Sequence, residues 1–382
     1  MPLFEESQEH RDFRRVFRKF VAREITPYAE EWERKRAVPR DLWLKLGKQG
    51  FLCPWLPEEY GGLGLDYGYS VIINEELIRG DGFGVGTGLH SDTAAPYVYA
   101  YGSEELKKRL LPKCTTGEAI AAIGLTEPNA GSDLAAIRTR AVKDGDHYII
   151  NGQKTFITNG VFADIIVVAC KVDSPDGSKA ITLIVVEGDA PGFSRGRQLE
   201  KMGWRKQDTG ELFFENCRVP VGNLLGEEGK GFKYMMQMLG RERLTICLDC
   251  QTLAEECLKE ALNYAKIREA FGRPIGNFQH IAFKLAQMAT EIEIGRTFLN
   301  TLVAEFIQGE DITMRVSMAK AWVGEMAQRV AYDALQIHGG YGYMEEYRIC
   351  RLCRDLRGFP IFGGSTEIMN LIVARRLGLN PG

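Results

Sequence analysis

The sequence of 382 residues lacks the features of several classes of protein. No apolar run reaches the roughly 20 residues that a membrane-spanning helix needs, so we expect no membrane span. Charges of one sign form no long run, and 48 Lys and Arg against 51 Asp and Glu give a net charge of −3, so we expect no nucleic-acid partner. The polar, acidic start predicts neither a signal nor a transit peptide, and we expect a bacterial cytoplasm, or the mitochondrial matrix for a processed chain.

Cysteine and histidine are too scattered to predict a disulfide framework or a metal centre. The nine cysteines are an odd number, which favours reduced thiols in a cytoplasm-like compartment. Two C-x-x-C spacings occur, Cys247 with Cys250 and Cys350 with Cys353, but no histidine stands beside either pair. The first pair also lies inside a predicted helix. We therefore expect buried thiols and no metal site.

Glycine-rich loops are present, but without the spacing of a nucleotide-binding turn. The segment GDGFGVGTG (80–88) contains no G-x-G-x-x-G register, and the segment 226–230 lacks the Ser or Thr of a phosphate-binding loop. We therefore expect any dinucleotide to be held by a fold other than a Rossmann unit.

The hydrophobic pattern divides the chain into three blocks. Residues 1–120 follow a helical period, with a helix predicted to begin at Ser103 as N-cap. Residues 121–226 contain β-branched and aromatic runs with no helical pattern between them, which predicts an antiparallel barrel or sandwich. Residues 227–382 return to long amphipathic helices with short connections, which predicts a four-helix bundle. The fold class is therefore α+β.

Glu242 is the most informative single residue in the pattern. It follows Leu239 by three residues and precedes Ile246 by four, which places a carboxylate on the apolar face of a predicted helix. Carboxylates are rarely buried without a partner. One interpretation is a buried ion pair with Arg241 or Arg243. The other is a general base whose pKa is raised by an apolar pocket.

Five sequence segments together resemble the acyl-CoA dehydrogenase family over essentially the whole chain. They are LTEPNAGSD (125–133), NGQKTFITNG (151–160), IREAFGRPI (267–275), QIHGGYGY (336–343) and FGGSTEIMNLIVARR (362–376). The resemblance implies an N-terminal helical domain (1–120), a middle antiparallel β-barrel domain (121–226) and a C-terminal four-helix bundle (227–382).

The resemblance also implies a chemistry. Members of this family are FAD-dependent flavoproteins that dehydrogenate acyl-CoA thioesters between the α- and β-carbons, as in β-oxidation. A base removes the α-proton and a hydride passes from the β-carbon to flavin N5. The resemblance further implies an electron-transferring flavoprotein as acceptor and a homotetramer, because the flavin site is shared between subunits. A flavin-dependent oxidase or monooxygenase on the same fold is the alternative function.

Carried over by position, a set of residues is implied to hold the flavin. Phe156 would lie on the isoalloxazine ring, Thr158 near N5, and Ser132 near both flavin and substrate. The full set is Leu125, Thr126, Gly131, Ser132, Phe156, Ile157, Thr158, Arg268, Phe271, Gln279, Gln336, Gly339, Gly340, Ser365, Thr366 and Glu367. Of these, Arg268, Phe271, Gln279, Gln336, Gly339 and Gly340 would meet the cofactor across a subunit boundary.

The catalytic base of many short- and medium-chain members is missing from this sequence. Those members carry Tyr-Glu-Gly-Thr where this chain has Phe-Gly-Gly-Ser, so their glutamate is replaced by Gly363. In the long-chain and isovaleryl branches the base lies on the bundle helix in a Glu-Arg-Leu sequence, which matches Glu242 to Leu244. The resemblance thus implies that Glu242 is the base and that the backbone N–H of Gly363 is a donor to the thioester oxygen. Phe362 and Arg243 would contact the substrate.

Asp92 has two interpretations. It lies near His90 at a predicted loop-to-helix junction, where an aspartate is most often a cap or a supporting acid. The resemblance brings this segment close to the acyl pocket, so Asp92 is also a candidate substrate-binding residue. It would then be a second acid or base for an alicyclic or unsaturated acyl group.

Overall fold

The computed structural model describes residues 3–173 and 179–380. Six helices form the N-terminal part. Ser7 and Ser103 cap the first and the sixth by accepting backbone N–H groups of His10 and Leu106, as the sequence predicts for Ser103. The helices are α1 (Gln8–Glu24), α2 (Ala29–Lys35), α3 (Arg40–Lys48), α4 (Tyr67–Arg79), α5 (Ala95–Tyr101) and α6 (Glu104–Thr116).

A β-sheet forms the middle of the chain, in the order β6-β7-β3-β2-β4-β5-β8, with β1 paired to β4. The strands are β1 (Ala121–Gly124), β2 (Arg140–Asp144), β3 (His147–Thr158), β4 (Ile165–Asp173), β5 (Lys179–Glu187), β6 (Phe193–Gln198), β7 (Thr209–Pro220) and β8 (Leu224–Leu225).

The expectation of a purely antiparallel sheet is wrong in one respect. Strand β4 pairs in parallel with both β1 and β2, whereas the other pairs of this sheet are antiparallel. Parallel pairing needs a long connection. Strand β3 with its loops supplies it between β2 and β4, and β2 and β3 together supply it between β1 and β4. The sequence pattern contains no signal for this arrangement, because it does not show which distant strands pair.

Helices dominate the C-terminal part. They are α7 (Gly231–Ile267), α8 (Gln279–Ile307), α9 (Thr313–His338), α10 (Arg348–Leu356) and α11 (Thr366–Arg376), with a short hairpin of β9 (Glu269–Ala270) and β10 (Arg273–Pro274) before α8. Helix α7 is 37 residues long and contributes to the cores on both sides, through Leu253 in the bundle and Met235 beside the sheet. This helix therefore connects the three parts of the fold.

A buried ion network fixes α4 against its neighbours. Glu75 on α4 accepts hydrogen bonds from Arg14 of α1 at 2.8 Å and Arg296 of α8 at 2.6 Å. Buried carboxylates need such partners, and here they set the distance between α4 and the bundle. Among the described residues, none of the helices combines the length and apolar character needed to cross a bilayer.

Candidate functional site

A cavity of about 510 Å³ lies where the three parts of the fold meet. Its walls come from α4, the glycine-rich loop 82–89, the ends of β1 and β3, the loop before β7, helix α7 and the loop before α11. Most of the exposed wall is apolar. A cavity of this kind, with a few convergent polar groups, is typical of a small-molecule site.

One wall of the cavity is formed by the end of β3. The pairing of β3 with β7 shifts register between Lys154 and Ile157, which indicates a bulge. Within that bulge Phe156 has a left-handed backbone (φ 59°) and its side chain is 68% exposed. An aromatic residue rarely adopts this conformation, so the strain presents the ring to the cavity beside Ile157 and Thr158.

A buried ion pair anchors the neighbouring part of this wall. Lys154 donates to the carboxylate of Glu127 at 2.8 Å and to the backbone carbonyl of Leu125 at 3.0 Å. Glu127 also accepts the backbone N–H of Thr139 at 2.9 Å. Burial lowers the pKa of Lys154. The pair therefore holds Leu125 and Thr126 at the cavity, where both lie on the lining.

Glu242 lines the cavity from α7. Its Oε2 atom is buried and has no hydrogen-bond partner in the described part of the chain. Burial raises the pKa of its carboxyl group, and the nearby cations Arg243 and Lys320 offset this only in part. Such an acid can accept a proton from a bound molecule near neutral pH.

The ion pair that the sequence offered as an alternative for Glu242 does not form. Arg241 donates instead to Asp92 at 2.8 Å and stacks on Trp55, with its guanidinium carbon 4.2 Å from the ring centroid. Arg243 is buried, makes no ion pair with a described residue and does not line the cavity. Neither arginine therefore forms an ion pair with Glu242.

Gly363 lies on the loop before α11, opposite Ile246 of α7. Its backbone is left-handed (φ 62°), and a Cβ atom there would lie 2.3 Å from Cδ1 of Ile246. Lys320 fixes the loop by donating to the backbone carbonyls of Phe359 at 3.1 Å and Gly364 at 2.6 Å. A residue with a Cβ atom at this position would therefore have a strained backbone and would have to displace the end of the Ile246 side chain.

Phe362 precedes this glycine and also lines the cavity. Its ring packs edge-on against Trp204, with centroids 4.8 Å apart, and Trp204 itself has a left-handed backbone (φ 56°). Asp355 holds Trp204 by accepting its backbone N–H at 2.6 Å. Sequence reasoning did not single out Trp204, Lys320 or Asp355, because each acts through a contact distant in the chain.

Asp92 does not cap a helix, but its contacts fit the interpretation as a supporting acid. It lies within a π-helical segment, Leu89–Ala94, and so does not cap a helix. Its carboxylate accepts hydrogen bonds from Ser70 and Arg241, each at 2.8 Å, and it is absent from the cavity lining. His90 in the same segment is structural: one ring nitrogen accepts the N–H of Ala121 at 2.9 Å and the other donates to the carbonyl of Cys114 at 3.0 Å.

The remaining expected cofactor residues lie outside this cavity. Arg268, Gly339 and Gly340 come together in a second, open cavity of about 420 Å³. The other residues are at the surface or at a helix start: Gly131, Ser132, Phe271, Gln279, Gln336, Ser365, Thr366 and Glu367. Within the described ranges there is no group of three or more His, Cys, Asp or Glu residues arranged to hold a metal.

Phe271 is the most conspicuous of these surface residues. It is 96% exposed at the turn of the β9–β10 hairpin, where both Phe271 (φ 53°) and Gly272 (φ 78°) are left-handed. Two consecutive positive φ angles are typical of a tight hairpin turn, in which asparagine or glycine is the usual first residue. The turn therefore holds a large apolar ring mostly in solvent, where it meets the ring of Phe278 edge-on with centroids 6.1 Å apart.

Family models for acyl-CoA dehydrogenase domains match most of the chain. The N-terminal domain matches residues 7–118, the middle domain residues 122–217 and the C-terminal domain residues 229–378.

Individual proteins are similar over the same extent. The mitochondrial long-chain specific acyl-CoA dehydrogenase of Sus scrofa is 44% identical over 373 residues, which cover 97% of this chain and 87% of that protein. The crystal structure of an acyl-CoA dehydrogenase from Geobacillus kaustophilus is 53% identical with a TM-score of 0.96, covering 99% of this chain and 100% of that one. A structure described as the electron transferring flavoprotein of Acidaminococcus fermentans contains a chain that is 37% identical, with a TM-score of 0.93 and 99% of both chains covered.

Proposed function

The chain belongs to the acyl-CoA dehydrogenase family of flavin-dependent oxidoreductases, and from this premise we propose that Glu242 is the base that removes the α-proton of an acyl-CoA thioester. One observation carries the proposal: a carboxylate with a raised pKa and an unpartnered oxygen lines the cavity that the exposed ring of Phe156 also lines. The α-hydrogen of a thioester is weakly acidic, so its removal needs a base tuned in this way.

The residues of the cavity fit a flat, aromatic cofactor such as FAD. The bulge in β3 turns the ring of Phe156 outward, and Leu125, Thr126 and Thr158 surround it with apolar surface and two hydroxyl groups. FAD, when bound, would supply the acceptor for the hydride that leaves the β-carbon. The ion pair of Lys154 with Glu127 would keep this wall rigid, so that binding of the cofactor would cost little conformational entropy of the protein.

The loop at Gly363 is suited to stabilise the charge that develops on the thioester oxygen. The backbone N–H of Gly363 donates no hydrogen bond to any described residue and borders the cavity. Lys320 holds the backbone carbonyls of Phe359 and Gly364 on either side of it, which restrains the loop that carries this N–H. Fixed donors of this kind lower a barrier because they need no reorganisation during the reaction.

We infer that the acyl group is long-chain, branched or alicyclic, since a glutamate on the helix and a glycine on the loop match the long-chain and isovaleryl branches. The similarity to the long-chain specific enzyme of Sus scrofa supports this inference. An electron-transferring flavoprotein is the acceptor that fits the family.

A homotetramer would place the exposed parts of the cofactor site against a partner. The ring of Phe271 and the second cavity with Arg268, Gly339 and Gly340 lie outside the first cavity, which suits a cofactor whose far end is shared between subunits. Replacing Phe271 by Ala should leave the protomer folded and reduce both FAD content and the size of the assembly. Gel filtration and the absorbance of released flavin would measure these effects.

An anaerobic titration of the purified protein with straight-chain, branched and cyclic acyl-CoAs tests the proposal. We expect the visible flavin band to bleach with at least one class of acyl-CoA. Glu242→Gln should lower the bleaching rate by about a hundred- to ten-thousandfold, because the amide cannot accept the proton. Glu260→Gln makes the same change on the same helix outside the cavity and should bleach normally. Bleaching that survives in Glu242→Gln would contradict the assignment of the base.

A further inference from the structure

The cavity does not end at Glu242 but continues along α7 toward α4. Glu242, Thr245, Ile246 and Asp249 share one face of the helix and all line the cavity. Asp249 lies seven residues beyond the base, which is about 10 Å along the helix axis at the usual rise. The far end of the cavity thus contains a second carboxyl group.

Two further polar residues that line the cavity have atoms without partners among the described residues. Asn74 and Thr87 are 5% and 2% exposed, line the cavity, and have an Nδ2 and an Oγ1 atom, respectively, with no hydrogen bond to any described residue. Asn74 lies close to Thr245, because a Cβ atom on Gly88 would be 2.9 Å from its Oδ1 and 3.5 Å from Thr245 Cγ2. A buried polar group without a hydrogen bond costs free energy, so we expect a bound molecule to supply the missing partner here.

Asp249 is also without a counter-ion. In the described ranges it forms neither a hydrogen bond nor an ion pair, and the charges that act on it are two further acids, Asp92 and Glu75. The arginines near those two acids form ion pairs with them and not with Asp249: Arg241 pairs with Asp92, and Arg296 pairs with Glu75.

The carboxyl of Asp249 is therefore suited to a neutral partner. Burial, together with the negative charges of Asp92 and Glu75, raises its pKa well above the ordinary value. A protonated carboxyl can donate as well as accept a hydrogen bond, as can the amide of Asn74 and the hydroxyl of Thr87. A neutral hydroxyl or carbonyl group matches these partners, whereas an anionic group would meet only negative charge.

We propose that Asp249 and Asn74 select acyl-CoAs whose acyl chain carries a hydroxyl or carbonyl group at its far end. This inference rests on the proposed function, since it assumes that the acyl chain extends from the base at Glu242 into the cavity. A chain with only methyl or methylene groups would leave these polar groups unpaired, and a site built to hydrogen-bond its substrate discriminates against such a chain.

The test compares kcat/KM of the holoenzyme for decanoyl-CoA and ω-hydroxydecanoyl-CoA, whose extended chains reach this far. The wild type should prefer the hydroxylated substrate by about ten- to a hundredfold. Asp249→Leu should abolish or invert that preference, mainly through KM. Asp249→Asn, which keeps the hydrogen-bonding capacity, should retain most of it, and Asn74→Leu should reduce it.

Butyryl-CoA provides the internal control, because its chain is too short to reach Asp249. Its flavin bleaching should differ less between the wild type and Asp249→Leu than that of ω-hydroxydecanoyl-CoA. Equal kcat/KM for the two decanoyl thioesters in the wild type, or an unchanged ratio in Asp249→Leu, would overturn the inference while leaving the proposed function intact. Absence of bleaching with every acyl-CoA would instead contradict the proposed function, and the inference with it.

Discussion

Replacing Gly363 by Ala should destabilise the protein through one identified contact. The new Cβ atom would lie 2.3 Å from Cδ1 of Ile246 in a backbone with φ 62°. A left-handed conformation costs a residue with a Cβ about 1–2 kcal/mol, and overpacking costs about 1–3 kcal/mol, so we expect a loss of about 2–5 kcal/mol. The loop should also shift, which would lower kcat/KM because the N–H of Gly363 moves with it.

A double-mutant cycle with Ile246→Val isolates this contact. Valine lacks the Cδ1 atom that causes the clash, whereas the next atom, Cγ1, is already 3.8 Å away. Ile246→Val alone should cost about 0.5–1.5 kcal/mol, but in the Gly363→Ala background it should recover about 1–2 kcal/mol. Urea unfolding at fixed protein concentration gives the free energies. Additive effects of the two substitutions would refute the reasoning, because they would mean that Cδ1 of Ile246 does not clash with the new atom.

Three further predictions concern residues around the site. Burial lowers the pKa of His90 to about 4, so stability should fall by roughly 3 kcal/mol as the pH drops from about 6.5 to 4, and urea unfolding of His90→Gln should lack this dependence. Lys154→Met leaves the buried carboxylate of Glu127 without its ion-pair partner and should lower the free energy of unfolding, measured in urea, by about 3–5 kcal/mol. Adding Glu127→Gln should restore most of this loss. Asp92→Asn leaves Arg241 short of a partner and should lower the thermal midpoint, while turnover of acyl-CoA stays near the wild-type value because Asp92 does not line the cavity.

The sequence alone predicted the order of the three parts and the family. Helical and strand periods are local properties, and they identified the long helix that became α7 and placed Glu242 on its apolar face. The same reasoning failed for the pairing of β4 with β1 and β2, because parallel pairing depends on which distant strands meet. Local pattern contains no information about that choice.

Asp92 illustrates a second limit. An aspartate ahead of a helix predicts a cap, but the segment around it closes into π-helical turns and directs the carboxylate to Ser70 and Arg241. Arg241 comes from a helix far along the chain, so no window of sequence around Asp92 contains its partner. The same holds for Lys320 and the loop at Gly363.

If Glu242 is the base, as we propose, the packing of Ile246 gives a physical reason why the base is on the helix and not on the loop. Ile246 fills the space next to Gly363, and Glu242 lies one turn before Ile246 on the same face of α7. A chain with a glutamate on the loop would need that space empty, whereas a chain with the glutamate on the helix is free to fill it with an apolar residue. We therefore expect Glu242 and Ile246 to occur together on the helix, and both to be replaced in a chain whose base is at the position of Gly363. On this view Gly363 is retained for its backbone, and Ile246 should vary together with Glu242 whenever the base changes place.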